Sequence, residues 1–378
     1  MSLGRGYGES VAPANDRPSS AGTWRRAAMA PPVQIFSTCP PSVEAGAART
    51  TGSGGAYAAR VADVARWSER AGCEGILIYT DNRLVDPWLV SQLVIEATET
   101  LCPLVAVQPA YMHPYTAAKM VTTLGYLYGR KVYLNMVAGG FKRDLEALND
   151  FTPHDDRYLR LEEYSNIVKA LVVGSPEARA VSTKGDYYTV EGLKLSPPLA
   201  PELAPEFFVS GSSEAGLNAA AALDAVAIRY PQPTKAYQDG SLSAHQKRGV
   251  RIGIIARDTA DEAWRVAEER FPPDRRGEIV HQLAMKTSDS RWHQDLSERP
   301  EAESDPDSPY WLRPFRSYQT FCPYLVGSYE RVAREVSSYI EAGFRTFILD
   351  IPPNQFELES TRRVFEPARL TAGRAFAG

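Results

Sequence analysis

What this chain lacks narrows its chemistry before any motif is read. Its four cysteines, Cys39, Cys73, Cys102 and Cys322, stand far apart, with no CxxC pair and no histidine at zinc-binding spacing. Histidine is scarce as well: five in 378 residues, none in an HxH or HExxH pattern, which disfavours a metal-dependent hydrolase and leaves no metal site to expect. No apolar run approaches the ~20 residues that span a bilayer. Residues 1–31, rich in Gly, Ser, Ala, Pro and Arg, lack the apolar centre of a secretory signal and read as a disordered leader outside the fold. Neither sign of charge dominates, and a net charge of −4 argues against a broad nucleic-acid surface. A GxGxxG turn after the first strand is also missing, which removes the usual mark of a dinucleotide-binding open sheet. These absences predict a cytoplasmic protein with free thiols and no membrane or nucleic-acid partner. Cys73 and Cys102, in apolar context beside strands, are expected to be buried. Cys39 has no cation nearby to lower its pKa and reads as an inert thiol.

What is present is a regular alternation. Apolar residues make up 44% of the chain and charged residues 23%, enough for a sizeable core. Strands are predicted at Val33–Ser37, Gly75–Tyr79, Leu104–Gln108, Val132–Val137, Phe207–Val209, Ala225–Ile228, Val250–Ala256 and Thr346–Leu349. Amphipathic stretches between them predict helices near Tyr57–Arg70, after Pro87, and at Pro114–Tyr128, Leu159–Val173, Leu217–Leu223, Ala260–Phe271 and Val332–Ala342. Near-continuous apolar strands are buried on both faces, as in a parallel sheet covered by helices. Their alternation with helices favours one α/β domain over residues 32–378, a closed (β/α)8 TIM barrel, over a doubly wound open sheet. Two insertions break the rhythm. Residues 181–195 read as a β-hairpin turning at Lys184-Gly185-Asp186. Residues 272–327 are Pro- and charge-rich and read as a lid or a solvated excursion, with the Tyr310–Phe315 flank suited to folding over the barrel mouth.

Catalytic groups of such barrels lie on the loops that follow the C-terminal ends of the strands. Among those loops, Ser210-Gly211-Ser212-Ser213-Glu214 joins a strand directly to a helix. The unpaired amides of a first helical turn and the helix dipole suit an anionic phosphate, and Gly211 lets the backbone approach closely. The same serines serve equally as a plain N-cap. His113, just before Pro114, is a candidate for hydrogen bonding to a ligand or for acid–base catalysis, or else holds its loop. Arg251, Arg229 and Arg83 are candidate anion binders, with solvation at the surface as the alternative for each; the first two adjoin predicted strands. Asp155, Asp156, Glu162 and Glu163 read as the acidic start of a helix. Tyr79, Tyr111, Tyr230, Arg229 and the Trp311 segment suggest an aromatic, basic mouth and a larger polar or anionic substrate.

Several blocks, in order from Val33 to Leu370, resemble the luciferase-like flavin-dependent monooxygenases. Leu104-Val-Ala-Val-Gln-Pro, Ala117-Ala-Lys-Met-Val-Thr-Thr-Leu and Gly129-Arg-Lys-Val-Tyr-Leu-Asn-Met-Val-Ala-Gly are similar to the third-to-fourth strand region, most of all in alkanesulfonate monooxygenase. Asp156-Arg157-Tyr158, Phe207-Phe-Val-Ser-Gly-Ser-Ser-Glu and Ile252-Gly-Ile-Ile-Ala-Arg resemble the family's later blocks, as do Leu325-Val-Gly-Ser-Tyr-Glu-Arg-Val and Ala342-Gly-Phe-Arg-Thr-Phe-Ile-Leu. The resemblance implies reduced FMN in the barrel mouth, its phosphate at Gly211, Ser212 and Ser213 with the Tyr158 hydroxyl. Asn135 and Ala138 would lie beside the flavin ring, Gln108 would be a further cofactor contact, and His113, Arg251 and Arg229 would be the catalytic candidates. It also implies O2 as co-substrate, a separate NAD(P)H-dependent flavin reductase as partner, a lid at residues 272–327, and a homodimer or homotetramer. Three departures from alkanesulfonate monooxygenase weaken desulfonation: Leu84 stands at a cysteine position, Gly253 at a histidine and Ala138 at a threonine.

The function expected is therefore a two-component FMN-dependent monooxygenase acting on a small organic substrate, with anionic compounds and specialised metabolites among the candidates. A deazaflavin-dependent dehydrogenase on the same barrel and a non-catalytic flavin-binding protein are the alternatives.

Overall fold

Strands buried on both faces must be roofed by helices outside and filled by side chains inside, and the computed structural model has that arrangement. It describes residues 32–43, 54–172, 180–237, 246–285 and 308–375. The predicted leader and the middle of the 272–327 insertion lie outside them.

Strands β1 (Gln34–Thr38), β2 (Gly75–Ile78), β3 (Cys102–Val107), β4 (Tyr133–Met136), β7 (Phe207–Ser210), β8 (Val226–Arg229), β9 (Arg248–Arg257) and β12 (Phe344–Leu349) run parallel, each beside the next. β12 pairs back onto β1, with Phe36 opposite Ile348, and the eight-stranded barrel closes. Helices α1 (Gly54–Arg70), α2 (Pro87–Ala97), α3 (Pro114–Tyr128), α5 (His154–Val172), α6 (Glu214–Ala222), α7 (Ala260–Arg270), α10 (Tyr329–Glu341) and α11 (Gln355–Ala375) lie between successive strands or after the last. Helix starts follow the sequence: Asp86 caps α2 ahead of Pro87, and His113 caps α3 ahead of Pro114. Gly129 ends α3 in the left-handed conformation that favours glycine (φ 59°).

Side chains alternate along each strand between the bore and the helix layer. Phe36, Leu77, Leu104, Tyr133, Phe208, Val226, Ile228 and Ile348 fill the bore as one buried cluster. Phe36, Tyr133 and Phe208 meet edge to face, with ring centroids 5.1–5.8 Å apart. This plug packs the middle of the bore with side chains.

The differences from the sequence reading have local causes. Helix α5 begins five residues before the predicted Leu159, carrying Asp155 and Asp156 in its first turn. A short helix, α4 (Lys142–Ala147), has no counterpart among the predicted elements. Cys73 and Cys102 are half-buried rather than buried; Cys39 and Cys322 are the buried thiols. β5 (Val181–Lys184) and β6 (Thr189–Leu193) form an antiparallel pair. Within residues 272–327 lie α8 (Arg275–Met285), β10 (Tyr310–Trp311), α9 (Arg313–Arg316) and β11 (Tyr324–Ser328). β11 is a strand where the sequence pattern predicts only insertion; it pairs parallel with the upper half of the ten-residue β9. No helix of the described residues is long and apolar enough to cross a membrane.

Candidate active site

One residue layer above the aromatic plug, the bore changes character. Two positions beyond the plug residues, the same alternation brings Thr38, Tyr79, Asn135, Ser210 and Asp350 to the C-terminal mouth, with Gln108 just past β3. On β9, inward-facing Gly249 meets Ile228 and Thr346, which sets Arg251 two residues on in the mouth layer. Thr38 donates to the Leu349 carbonyl (2.5 Å) and Ser210 to Asn135 Oδ1 (2.8 Å), so part of this layer is internally satisfied.

Another part is not. Arg251 is 8% exposed and Gln108 7%, yet Arg251 Nε and Nη2, Gln108 Nε2 and the Tyr79 hydroxyl are buried without hydrogen-bond partners. Buried polar atoms are almost always paired, so unspent donors converging on one mouth mark the place where a polar ligand belongs. The Arg251 guanidinium lies over the Tyr79 ring (4.8 Å to the centroid), and its closest approach to Asp350 is 3.8 Å. That separation is an ion pair without a hydrogen bond.

Beside this layer, β7 runs into α6 through Ser210-Gly211-Ser212-Ser213. Ser213 is the N-cap, its hydroxyl accepting the Gly216 amide at 3.2 Å. Tyr158, on α5, reaches over the turn: a Cβ at Gly211 would sit 2.3 Å from its hydroxyl oxygen, and one at Gly216 would sit 3.1 Å from its ring. The two glycines thus admit the phenol to the helix N-terminus. Burial raises the Tyr158 pKa, and the Ser213 hydroxyl counters it only in part, so the phenol stays a protonated donor at neutral pH. An N-terminus with a close-packed tyrosine hydroxyl and two serines has the donor set that a phosphate requires.

The family model for luciferase-like monooxygenases matches residues 36–346. The chain belongs to the luciferase-like monooxygenase family. Among relatives it is similar to the 4-(gamma-L-glutamylamino)butanoyl-[BtrI acyl-carrier protein] monooxygenase BtrO of Niallia circulans, 35% identical over 292 residues, which are 76% of this chain and 84% of the relative. Among solved structures it resembles the long-chain alkane monooxygenase LadA, with a TM-score of 0.68, 17% identity, and 91% and 92% of the two chains covered. The EDTA monooxygenase EmoA from Chelativorans sp. BNC1 gives a TM-score of 0.67 at 15% identity, covering 91% and 95%. As a luciferase-like monooxygenase the chain is an enzyme, and the mouth layer is its candidate active site.

The structure brings some of the expected site residues together and separates others. Gln108, Asn135 and Arg251 share the mouth layer, while Gly211, Ser212, Ser213 and Tyr158 form the turn beside it. Ala138 is buried in the outer cluster that holds Met136 and Tyr158. His113 is exposed at the start of α3, where its Nδ1 accepts the Tyr115 amide (3.2 Å) and its ring abuts Tyr188. Its acceptor nitrogen is committed to the helix cap. Arg229 follows inward-facing Ile228 and so faces the helix layer; its Nη2 donates to Gln246 (3.3 Å), which in turn donates to the Leu217 carbonyl. Burial lowers its pKa, with Tyr237 countering. The Trp311 segment also departs from the expected mouth lining: Trp311 packs on Trp264 and Phe271, whereas Phe315 is the residue that meets Tyr230. Sequence reasoning reached Asp350 through its place at the end of the last strand and missed Tyr324, which lies within the predicted insertion.

Proposed function

We propose that this chain is the oxygenase of a two-component system, taking reduced FMN from a separate NAD(P)H-dependent reductase and using O2 to oxygenate a small polar organic substrate. The observation that carries this reading is the Gly211 turn: a phosphate-sized donor set made by Ser212, Ser213, the first amides of α6 and the Tyr158 hydroxyl, placed beside a mouth with unspent donors. The residues present fit a flavin mononucleotide. Gln108 Nε2 is a free donor for a ring carbonyl, and the Asn135–Ser210 pair forms a polar edge against which the ring would rest.

When bound, reduced flavin supplies the activation of O2, and the protein's part is to bind, orient and exclude water. The aromatic plug beneath the mouth fills the inner end of the bore with apolar side chains, which suits the exclusion of water from that side. Arg251, held over Tyr79, places a positive charge where an anionic group would be neutralised. The elements of residues 272–327 that pack beside β9 support a covering role for that insertion. Likeness to BtrO, named for a 4-(gamma-L-glutamylamino)butanoyl group, supports a polar acyl group as the substrate class. Leu84, Gly253 and Ala138, standing where alkanesulfonate monooxygenases carry Cys, His and Thr, speak against a sulfonate. The family likeness also supports a homodimer or homotetramer.

The test is anaerobic titration with photoreduced FMN followed by stopped-flow mixing with oxygenated buffer. Saturable FMN binding and an oxidation time course distinct from that of free flavin are expected. Preferential binding of a deazaflavin, or substrate turnover without O2, would overturn the reading.

A further inference from the structure

We propose that Asp350 is a positioning residue, held by Thr320 and Tyr324, that sets Arg251 with its Nε/Nη2 edge open to a substrate carboxylate. The proposal rests on the mouth being the substrate site and adds the chemical class that the site selects.

Three observations support it. The first is which atoms of Arg251 lack partners. Nε and Nη2 are the two nitrogens of one guanidinium edge, whose parallel N–H bonds match the two oxygens of a carboxylate. A surface arginine would spend that edge on water, but this residue is 8% exposed. The Tyr79 ring beneath it fixes the plane of the fork.

The second is how Asp350 is held. Its Oδ2 accepts from the Thr320 hydroxyl (2.5 Å) and the Tyr324 hydroxyl (2.8 Å), while Oδ1 stands 3.8 Å from Arg251 Nη2. Two strong donors anchor the carboxylate on the side away from the arginine. The remaining oxygen is close enough to orient the guanidinium and too far to consume its hydrogen bonds. Burial, followed by the Asp350 charge, pushes the Tyr324 pKa well up, so its hydroxyl keeps the proton it donates.

The third is the space that admits Tyr324. In the β9–β11 register Tyr324 lies opposite Gly253, and a Cβ there would come within 2.2 Å of the tyrosine ring. Gly253 follows Arg251 by two positions and therefore shares its face of β9. With no side chain at 253, an aromatic ring from the neighbouring strand crosses that position and delivers its hydroxyl to Asp350. The segment carrying Thr320 and Tyr324 thereby becomes part of the mouth.

Isothermal titration with glutarate, and with its neutral analogue glutaramide, tests the proposal on both flavin-free and FMN-loaded protein. Wild type is expected to bind glutarate at least about tenfold more tightly than glutaramide. Arg251→Lys, which offers one ammonium in place of a planar fork, should abolish the preference. Asp350→Asn, Tyr324→Phe and Gly253→Ala should each reduce it by about three- to tenfold, with Asp350→Glu restoring part of it. Near-UV circular dichroism confirms that each variant is folded, and Tyr324→Phe, the most conservative change, carries the argument if another fails to fold. No preference for glutarate in wild type, or a preference that survives both Asp350→Asn and Tyr324→Phe, overturns the proposal. A wild type that selects glutarate but fails to bind FMN would overturn the flavin reading and leave this one standing.

Discussion

Gly211 and Gly253 are both required because a neighbouring tyrosine occupies the volume a side chain would take. At Gly211 the neighbour is the Tyr158 hydroxyl, which would lie 2.3 Å from the Cβ of any other residue placed there. Gly211→Ala is therefore expected to weaken reduced-FMN binding by about tenfold or more, some ~1.4 kcal/mol, while thermal stability changes little; fluorescence titration and a melting curve separate the two effects. The thiols give a second expectation at this scale. Burial, only partly offset by the Tyr57 hydrogen bond, pushes Cys39 up to about 12, and burial raises Cys322 well above the ordinary thiol range. Neither should react with a disulfide reagent at neutral pH until the protein is unfolded, which a thiol count before and after denaturant will check. Cys39 as an inert thiol could be read from the sequence because no cation stands beside it in the chain. Arg229 could not: whether it faced the mouth or the helices depended on strand register, and one residue of slip reverses that answer.

Single carboxylates fasten several elements. Glu163, which the sequence suggested only as part of an acidic helix start, accepts the amides of Asp186, Tyr187 and Tyr188, and so fixes the β5–β6 hairpin to α5. Gly185 permits that approach, since a Cβ there would lie 2.2 Å from the carboxylate carbon. Glu163→Ala is expected to cost about 1–3 kcal/mol and to expose the hairpin to limited proteolysis, measured by urea unfolding and mass spectrometry. Glu69 plays a similar part at the end of α1, accepting from Thr100, Leu101 and Glu99. Its burial raises the carboxyl pKa, but these hydrogen bonds outweigh that and leave it below its ordinary 4.5. A depressed carboxylate stabilises the fold above its unfolded pKa, and that contribution fades as pH falls through the folded value. The melting-temperature gap between wild type and Glu69→Gln should thus be full near neutrality and close in acid. β11 escaped the sequence reading for a different reason. Its five residues follow a Pro- and charge-rich stretch, and its partner, the overlong end of β9, is distant in sequence.

In the whole molecule, the plug and the mouth divide stability from function. Phe208 is fully buried between Phe36 and Tyr133, and Phe208→Ala should cost about 3–5 kcal/mol in chemical denaturation. A ligand that binds only the folded barrel should act in the opposite direction: FMN at ~100 times its dissociation constant adds ~2.7 kcal/mol, visible as a raised melting temperature. The eight strands, their parallel order and the glycine-serine turn were legible in the sequence because they are written locally, in apolar runs, breakers and caps. The family could be recognised for the same reason, as its blocks recur in order along the chain. Closure of the barrel decided the rest. It brought Arg251, Asp350, Thr320 and Tyr324 from separate stretches into one group, turned Arg229 away from the mouth, and left three side chains there with polar atoms unspent. Local pattern determines which segments become strands, because side-chain alternation and backbone preference act over a few residues. Which polar groups meet, and which are left for a ligand, depends on register and packing between residues far apart in the chain, and only the folded protein settles that.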